Sequence, residues 1–129
     1  MADHHTIKTD DAPQPVGAYP HAKRVGELLF LSGIGPRPAG GGAPPDGIEA
    51  QCHAVFANVR TVLESAGARW EDLVDITVFL TNIEADFETY NRIYAEYFSN
   101  DGPCRTTVEV TRLPTPIAIE LKCIAKTGD

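Results

Sequence analysis

Apolar residues recur along this chain in two rhythms. Leu28-Leu29-Phe30-Leu31 is a short continuous apolar run closed by Ser32-Gly33, the pattern of a buried strand. Ala22 to Val25 is its expected partner, across a turn at Val25-Gly26. From Ile48 the spacing changes. Cys52, Val55, Phe56, Val59, Val62, Leu63 and Ala66 follow at helical intervals and share one face of a helix that ends near Gly67. Asp46, with Glu49 three positions on, is the expected cap. Val74, Ile76, Val78 and Leu80 then alternate with Asp75, Thr77, Phe79 and Thr81, which predicts a strand. A second helix carries Phe87, Tyr90, Tyr94, Tyr97 and Phe98 on one stripe and stops before Asp101-Gly102-Pro103. Two strands close the chain, Arg105 to Val110 and Ile117 to Ala125, joined through Leu113-Pro114-Thr115-Pro116.

The predicted order is β-β-α-β-α-β-β, an α+β sheet with two helices on one face. If Leu29 and Leu31 meet the helices, then Leu28, Phe30 and Phe79 lie on the uncovered face. An uncovered apolar face is an interaction surface, so the pattern predicts a homo-oligomer. The Pro- and Gly-rich run 36–47 reads as a surface loop, residues 1–16 as an N-terminal tail, and 17–129 as a single domain.

Composition narrows the partners. The 129 residues fit one domain, and the formal net charge of -7 disfavours nucleic acid. An anionic ligand must then be captured by a local basic site. No apolar run approaches the roughly 20 residues that span a bilayer, and the first residues lack a signal-peptide pattern, so no membrane partner is expected. Three cysteines, Cys52, Cys104 and Cys123, are an odd count, which suggests free thiols in a reducing cytoplasm.

The last two strands hold the most informative polar residues. Arg105 shares a face with Thr107 and Glu109, and Glu120 shares one with Lys122, so both project from faces without the main apolar stripe. A guanidinium on a strand end suits a carboxylate, because its planar fork makes two parallel hydrogen bonds. A neighbouring carboxylate such as Glu120 is able to position or deprotonate water. The structural alternative is that Arg105 pairs with Glu109 or Glu120 and ties strands together. No Cys/His set has zinc-ligand spacing, and Ser32 is not in a nucleophile elbow, so no metal site is expected. Cys104 reads as a buried thiol.

Pro103-Cys104-Arg105-Thr106-Thr107-Val108-Glu109-Val110, Leu113-Pro114 and Ile119-Glu120-Leu121-Lys122-Cys123-Ile124-Ala125 resemble the C-terminal signature of the RidA/YjgF family. Gly17-Ala18-Tyr19, Phe30-Leu31-Ser32-Gly33, Val78-Phe79-Leu80-Thr81 and Tyr90 to Phe98 match it in order. The resemblance implies a chorismate-mutase-like fold, a homotrimer with clefts between subunits, and cofactor-free hydrolysis of enamines or imines to 2-oxo acids and ammonia. By position it implies that Arg105 binds a substrate carboxylate, that Glu120 positions water, and that Tyr19, Ser32 and Asn91 line the cleft. Tyr19-Pro20-His21, Lys23-Arg24 and Gly102-Pro103-Cys104-Arg105 look more like the 2-aminomuconate deaminase branch than the 2-iminobutanoate/2-iminopropanoate one. A dicarboxylate needs a second basic group, for which His21, Arg24 and Arg37 are the candidates. A non-catalytic carboxylate-binding protein or a holdase is the alternative reading.

Overall fold

The computed structural model describes residues 4–128. Their elements run β1 (His4–Ile7), β2 (Ala22–Val25), β3 (Leu28–Leu31), α1 (Ile48–Ser65), a 3-10 turn (Trp70–Asp72), β4 (Leu73–Leu80), α2 (Ile83–Tyr97), β5 (Cys104–Glu109) and β6 (Ile119–Lys126). One sheet holds all six strands in the order β1-β2-β3-β6-β4-β5. Every pairing is antiparallel except β4 with β5, which are parallel because α2 crosses between them.

The sheet register decides which side chains share a face. Ile76, Val78 and Leu80 of β4 stand opposite Cys123, Leu121 and Ile119 of β6. With Leu29 and Leu31 these residues are buried against Val55, Phe56, Val59, Val62 and Leu63 of α1 and Tyr90 and Ile93 of α2. The alternate positions form the face without helices. There Phe30 stands opposite Ile124, Thr77 opposite Lys122, and Phe79 opposite Glu120. Val25, Leu28 and Val108 on that face are 46%, 39% and 37% exposed, which leaves an apolar surface open to another molecule.

Two expectations are corrected. The stretch assigned to a tail includes a strand: β1 pairs with β2 from His4↔Val25 to Ile7↔Ala22, and Ala12 is fully buried. Four mostly polar residues give no apolar rhythm, so only pairing with β2 reveals them. Residues 1–3 of that tail, and residue 129 of the expected domain, lie outside the described residues. At α1, Gly47 rather than Asp46 takes the cap position, with φ of 87° and no side-chain cap. That dihedral is open to glycine and strained for a residue with a Cβ. Among the described residues no helix is long and apolar enough to cross a membrane.

Candidate active site

Glu120 lies at the floor of a cleft built by β6 and the end of β3. Alternation along β6 sends Ile119 and Leu121 into the core and Glu120 to the open face. The chain beyond β3 stays beside β6, because Ile34 and Leu121 exchange backbone hydrogen bonds of 2.9 Å in both directions. Between Phe30↔Ile124 and Ile34↔Leu121 the register slips by one residue, a bulge around Ser32-Gly33. The bulge brings Gly33 against Glu120: a Cβ on Gly33 would stand 2.3 Å from Oε2. A glycine here is what lets the carboxyl group lie across the backbone.

The cleft measures about 340 Å³, and its walls include Tyr19, Ser32, Gly33, Arg37, Pro114 and Glu120. Tyr19 is 40% exposed, and its hydroxyl accepts a 3.2 Å hydrogen bond from the Val16 amide. Ser32 Oγ donates to the Pro20 carbonyl at 2.7 Å, which orients the hydroxyl oxygen and leaves it able to accept. Burial pushes the Glu120 carboxyl above the usual glutamate range, with the Arg37 guanidinium acting in the opposite sense. A half-buried acid of this kind holds its proton closer to neutrality than a surface glutamate does.

Arg105 is on the other side of the sheet. It stands opposite Ile76 in the β4–β5 ladder, so it points toward the helices. Its guanidinium carbon sits 4.7 Å from the Tyr94 ring centre and 5.2 Å from that of Tyr90, and Nη1 donates to Asn91 Oδ1 at 2.9 Å. Two ring faces and one amide fix the fork at the edge of the sheet. Tyr90, in turn, is held by a 2.8 Å hydrogen bond to Thr107. Glu109 is committed elsewhere, accepting from the Ile83 amide at the start of α2 at 2.9 Å. Among the described residues the ion pairs join Arg69 to Asp72, Arg92 to Glu49 and Glu96, and Lys126 to Glu27. Neither Arg105 nor Glu120 is in one, so the cross-strand tie is not formed.

Arg105 and Glu120 project from the sides of β5 and β6 that lack each strand's apolar residues, and those two sides are opposite faces of the sheet. Alternation along a single strand does not say which of its sides meets the core. On β5, at the sheet edge, the polar side does. Arg105, Thr107 and Glu109 meet α2, while Val108 lies on the open face.

The other candidates divide. His21 is buried, with Nε2 donating to the Pro13 carbonyl at 2.8 Å and Nδ1 accepting from the Thr9 amide at 3.3 Å. Both ring nitrogens are used to fasten the N-terminal segment, so His21 is not available as the second basic group. Arg24 is not in the cleft either. It alternates onto the helix side of β2 and donates to the Ala66 carbonyl at 2.6 Å and the Thr127 hydroxyl at 2.5 Å. Of the three basic candidates, only Arg37 shares the cleft with Glu120. Gly33 escaped sequence reasoning because its role depends on the bulge. Cys104, expected to be buried, is exposed, while burial lifts the Cys52 and Cys123 thiols to about 12. Among the described residues no three His, Cys, Asp or Glu side chains converge on a possible metal.

Comparison with known proteins agrees with this layout. The family model described as Endoribonuclease L-PSP matches residues 9–127. Reactive Intermediate Deaminase A, chloroplastic, of Arabidopsis thaliana is 38% identical over 120 residues, covering 92% of this chain and 64% of that protein. The crystal structure of RidA from the Antarctic bacterium Psychrobacter sp. PAMC 21119 superposes with a TM-score of 0.90 at 32% identity, over 95% of this chain and 99% of that one. E. coli TdcF with bound serine superposes with a TM-score of 0.89 at 31% identity, over 96% and 99% of the two chains. The fold, the order of the signature segments and a match along nearly the whole length agree, and the chain belongs to the RidA/YjgF family, with its chorismate-mutase-like α+β fold.

Proposed function

We propose that this protein is a hydrolytic deaminase of carboxylate-bearing enamines and imines, with 2-aminomuconate as its preferred substrate. The observation that carries the proposal is Glu120, a half-buried carboxyl in no ion pair among the described residues, set in an open cleft beside Tyr19 and Ser32. The relative named as a reactive intermediate deaminase and the neighbour with bound serine support the reaction class and an amino-acid-like ligand.

Arg105 and Glu120 occupy opposite faces, so one chain does not complete the site. The uncovered apolar face supports a homotrimer, in which Arg105 and Asn91 of one subunit border the Glu120 cleft of the next. The guanidinium grips the substrate carboxylate and places C2 above Glu120. An enamine first tautomerises to the imine, gaining a proton on carbon and giving one up from nitrogen. The raised carboxyl of Glu120 supplies a proton to the imine nitrogen, and its conjugate base then takes one from water. Water oxygen bonds to C2 while the C=N π pair moves to nitrogen. Glu120 passes the proton taken from water to the amino nitrogen of the resulting carbinolamine. Ammonia then leaves with the C–N pair as the hydroxyl oxygen becomes C=O and returns its proton to the carboxylate, giving the 2-oxo acid. The chemistry asks for orientation, one charge clamp and one water, and three unpaired thiols fit a cytoplasmic setting.

The test is ammonia release from 2-aminomuconate and from 2-iminobutanoate generated in the assay. Wild-type protein releases ammonia, and Arg105→Ala and Glu120→Gln each lower kcat/KM about 100-fold or more. Wild-type protein that binds small carboxylates without turnover defeats the enzymatic reading in favour of a binding role. The family's endoribonuclease description points to RNA instead, but the net charge of -7 opposes it.

A further inference from the structure

We infer that Arg37 is a second anion-binding group in the Glu120 cleft and makes this a site for dicarboxylates. The inference rests on the deaminase reading and names its substrate class. Arg37 follows the bulge at Ser32-Gly33, and its side chain shares a cleft wall with Tyr19 and Glu120. One guanidinium nitrogen, Nη2, donates to the Gln14 carbonyl at 3.1 Å, which anchors the group. A guanidinium has five N–H donors, so the fork keeps donors for a ligand. No carboxylate forms an ion pair with it among the described residues.

The cleft thus holds a cation of its own, apart from Arg105 on the opposite face. A monocarboxylate held by Arg105 would leave Arg37 facing Glu120 and solvent. A dicarboxylate spanning the cleft would set one acid group on each guanidinium, with the reacting C–N bond between them and near Glu120. In a protein with a net charge of -7, two local cations are what overcome the unfavourable overall field for a dianion. Arg37 would act on affinity and substrate choice, and takes no part in bond making.

The test compares wild type with Arg37→Leu and Arg37→Lys, using a dicarboxylate substrate, 2-aminomuconate, and a monocarboxylate, 2-iminobutanoate. Adipate and hexanoate serve as saturated probes in calorimetry. Arg37→Leu is expected to raise KM for 2-aminomuconate about 10- to 100-fold, the loss of one charge-assisted contact. For 2-iminobutanoate KM holds, and a change in kcat follows the Glu120 pH profile, because Arg37 also acts on that carboxyl. Adipate binding weakens by a similar factor while hexanoate binding holds, and Arg37→Lys falls between. Equal rises in KM on both substrates, with no loss of adipate preference, overturn the inference and reduce Arg37 to a modulator of Glu120. Wild type that turns over 2-iminobutanoate but neither accepts 2-aminomuconate nor prefers adipate also overturns it, and leaves the deaminase reading intact. If no substrate releases ammonia the deaminase reading fails, and the adipate preference still decides whether Arg37 binds a second acid.

Discussion

Arg105 and Glu120 stand on opposite faces of one sheet, the first resting on Tyr90 and Tyr94 under α2, the second opening onto the face that no helix covers. Two groups so divided act on one substrate only if separate chains bring them together. Subunit complementation tests this. Arg105→Ala and Glu120→Ala proteins are each inactive alone. Unfolded together and refolded at equal amounts, they regain activity, because about one cleft in four receives both intact groups by random assembly. Mixtures as inactive as their parents refute a shared cleft.

Gly33 gives a second prediction. A Cβ there would meet Glu120 Oε2 at 2.3 Å, and the flexible acid yields more readily than the backbone. Gly33→Ala should therefore keep its melting temperature within a few degrees of wild type while kcat falls about 100-fold, the scale of a misplaced catalytic group. A fully active Gly33→Ala protein would show that the position of this carboxyl is unimportant.

The Glu120 carboxyl is raised by burial, and the sign of its pH effect follows. A carboxyl with a folded-state pKa above its unfolded value favours folding most when protonated. That contribution is fully present below the unfolded value and is lost as pH rises through the folded one. Glu120→Gln keeps the neutral form at every pH. Its melting temperature should match wild type in acid and exceed it at neutral pH. A difference that shrinks as pH rises contradicts the burial argument.

Arg24 is structural in this fold, tying β2 to the Ala66 carbonyl and the Thr127 hydroxyl. Arg24→Ala should lower unfolding free energy by about 1–2 kcal/mol, read by urea denaturation, and leave KM unchanged. A raised KM with unchanged stability would return Arg24 to the binding site.

The open face supplies the last prediction. Phe30 lies there opposite Ile124. Phe30→Asp places a charge on a surface proposed to be covered by another subunit, so sedimentation should give a monomer that keeps its circular dichroism and loses activity. An active monomer would place the whole site within one chain.

Several elements were legible because each writes a local signal. The helical spacing from Cys52 to Leu63 and the alternation from Val74 to Leu80 are properties of neighbouring residues, and the structure places α1 and β4 on them. The expectation that Leu29 and Leu31 turn inward while Leu28 and Phe30 turn outward matches the burial pattern of β3. The first strand was not legible, because His4–Ile7 has no apolar rhythm and exists through pairing with β2. The placement of Arg105 and Glu120 on opposite faces was not legible for a related reason. Alternation fixes which residues of one strand agree, and says nothing of which side faces the helices when a strand sits at the edge.

The sequence by itself determined the helices, most of the strands and the residue types available for chemistry, since these follow from side-chain periodicity and composition over a few turns or pleats. The tertiary structure alone decided the strand order, the bulge that seats Glu120 on Gly33, the withdrawal of His21 and Arg24 into structural hydrogen bonds, and the presence of Arg37 in the cleft. Each depends on a partner far away in the chain, and a pairing between distant segments is settled by packing the whole sheet rather than by the residues on either side.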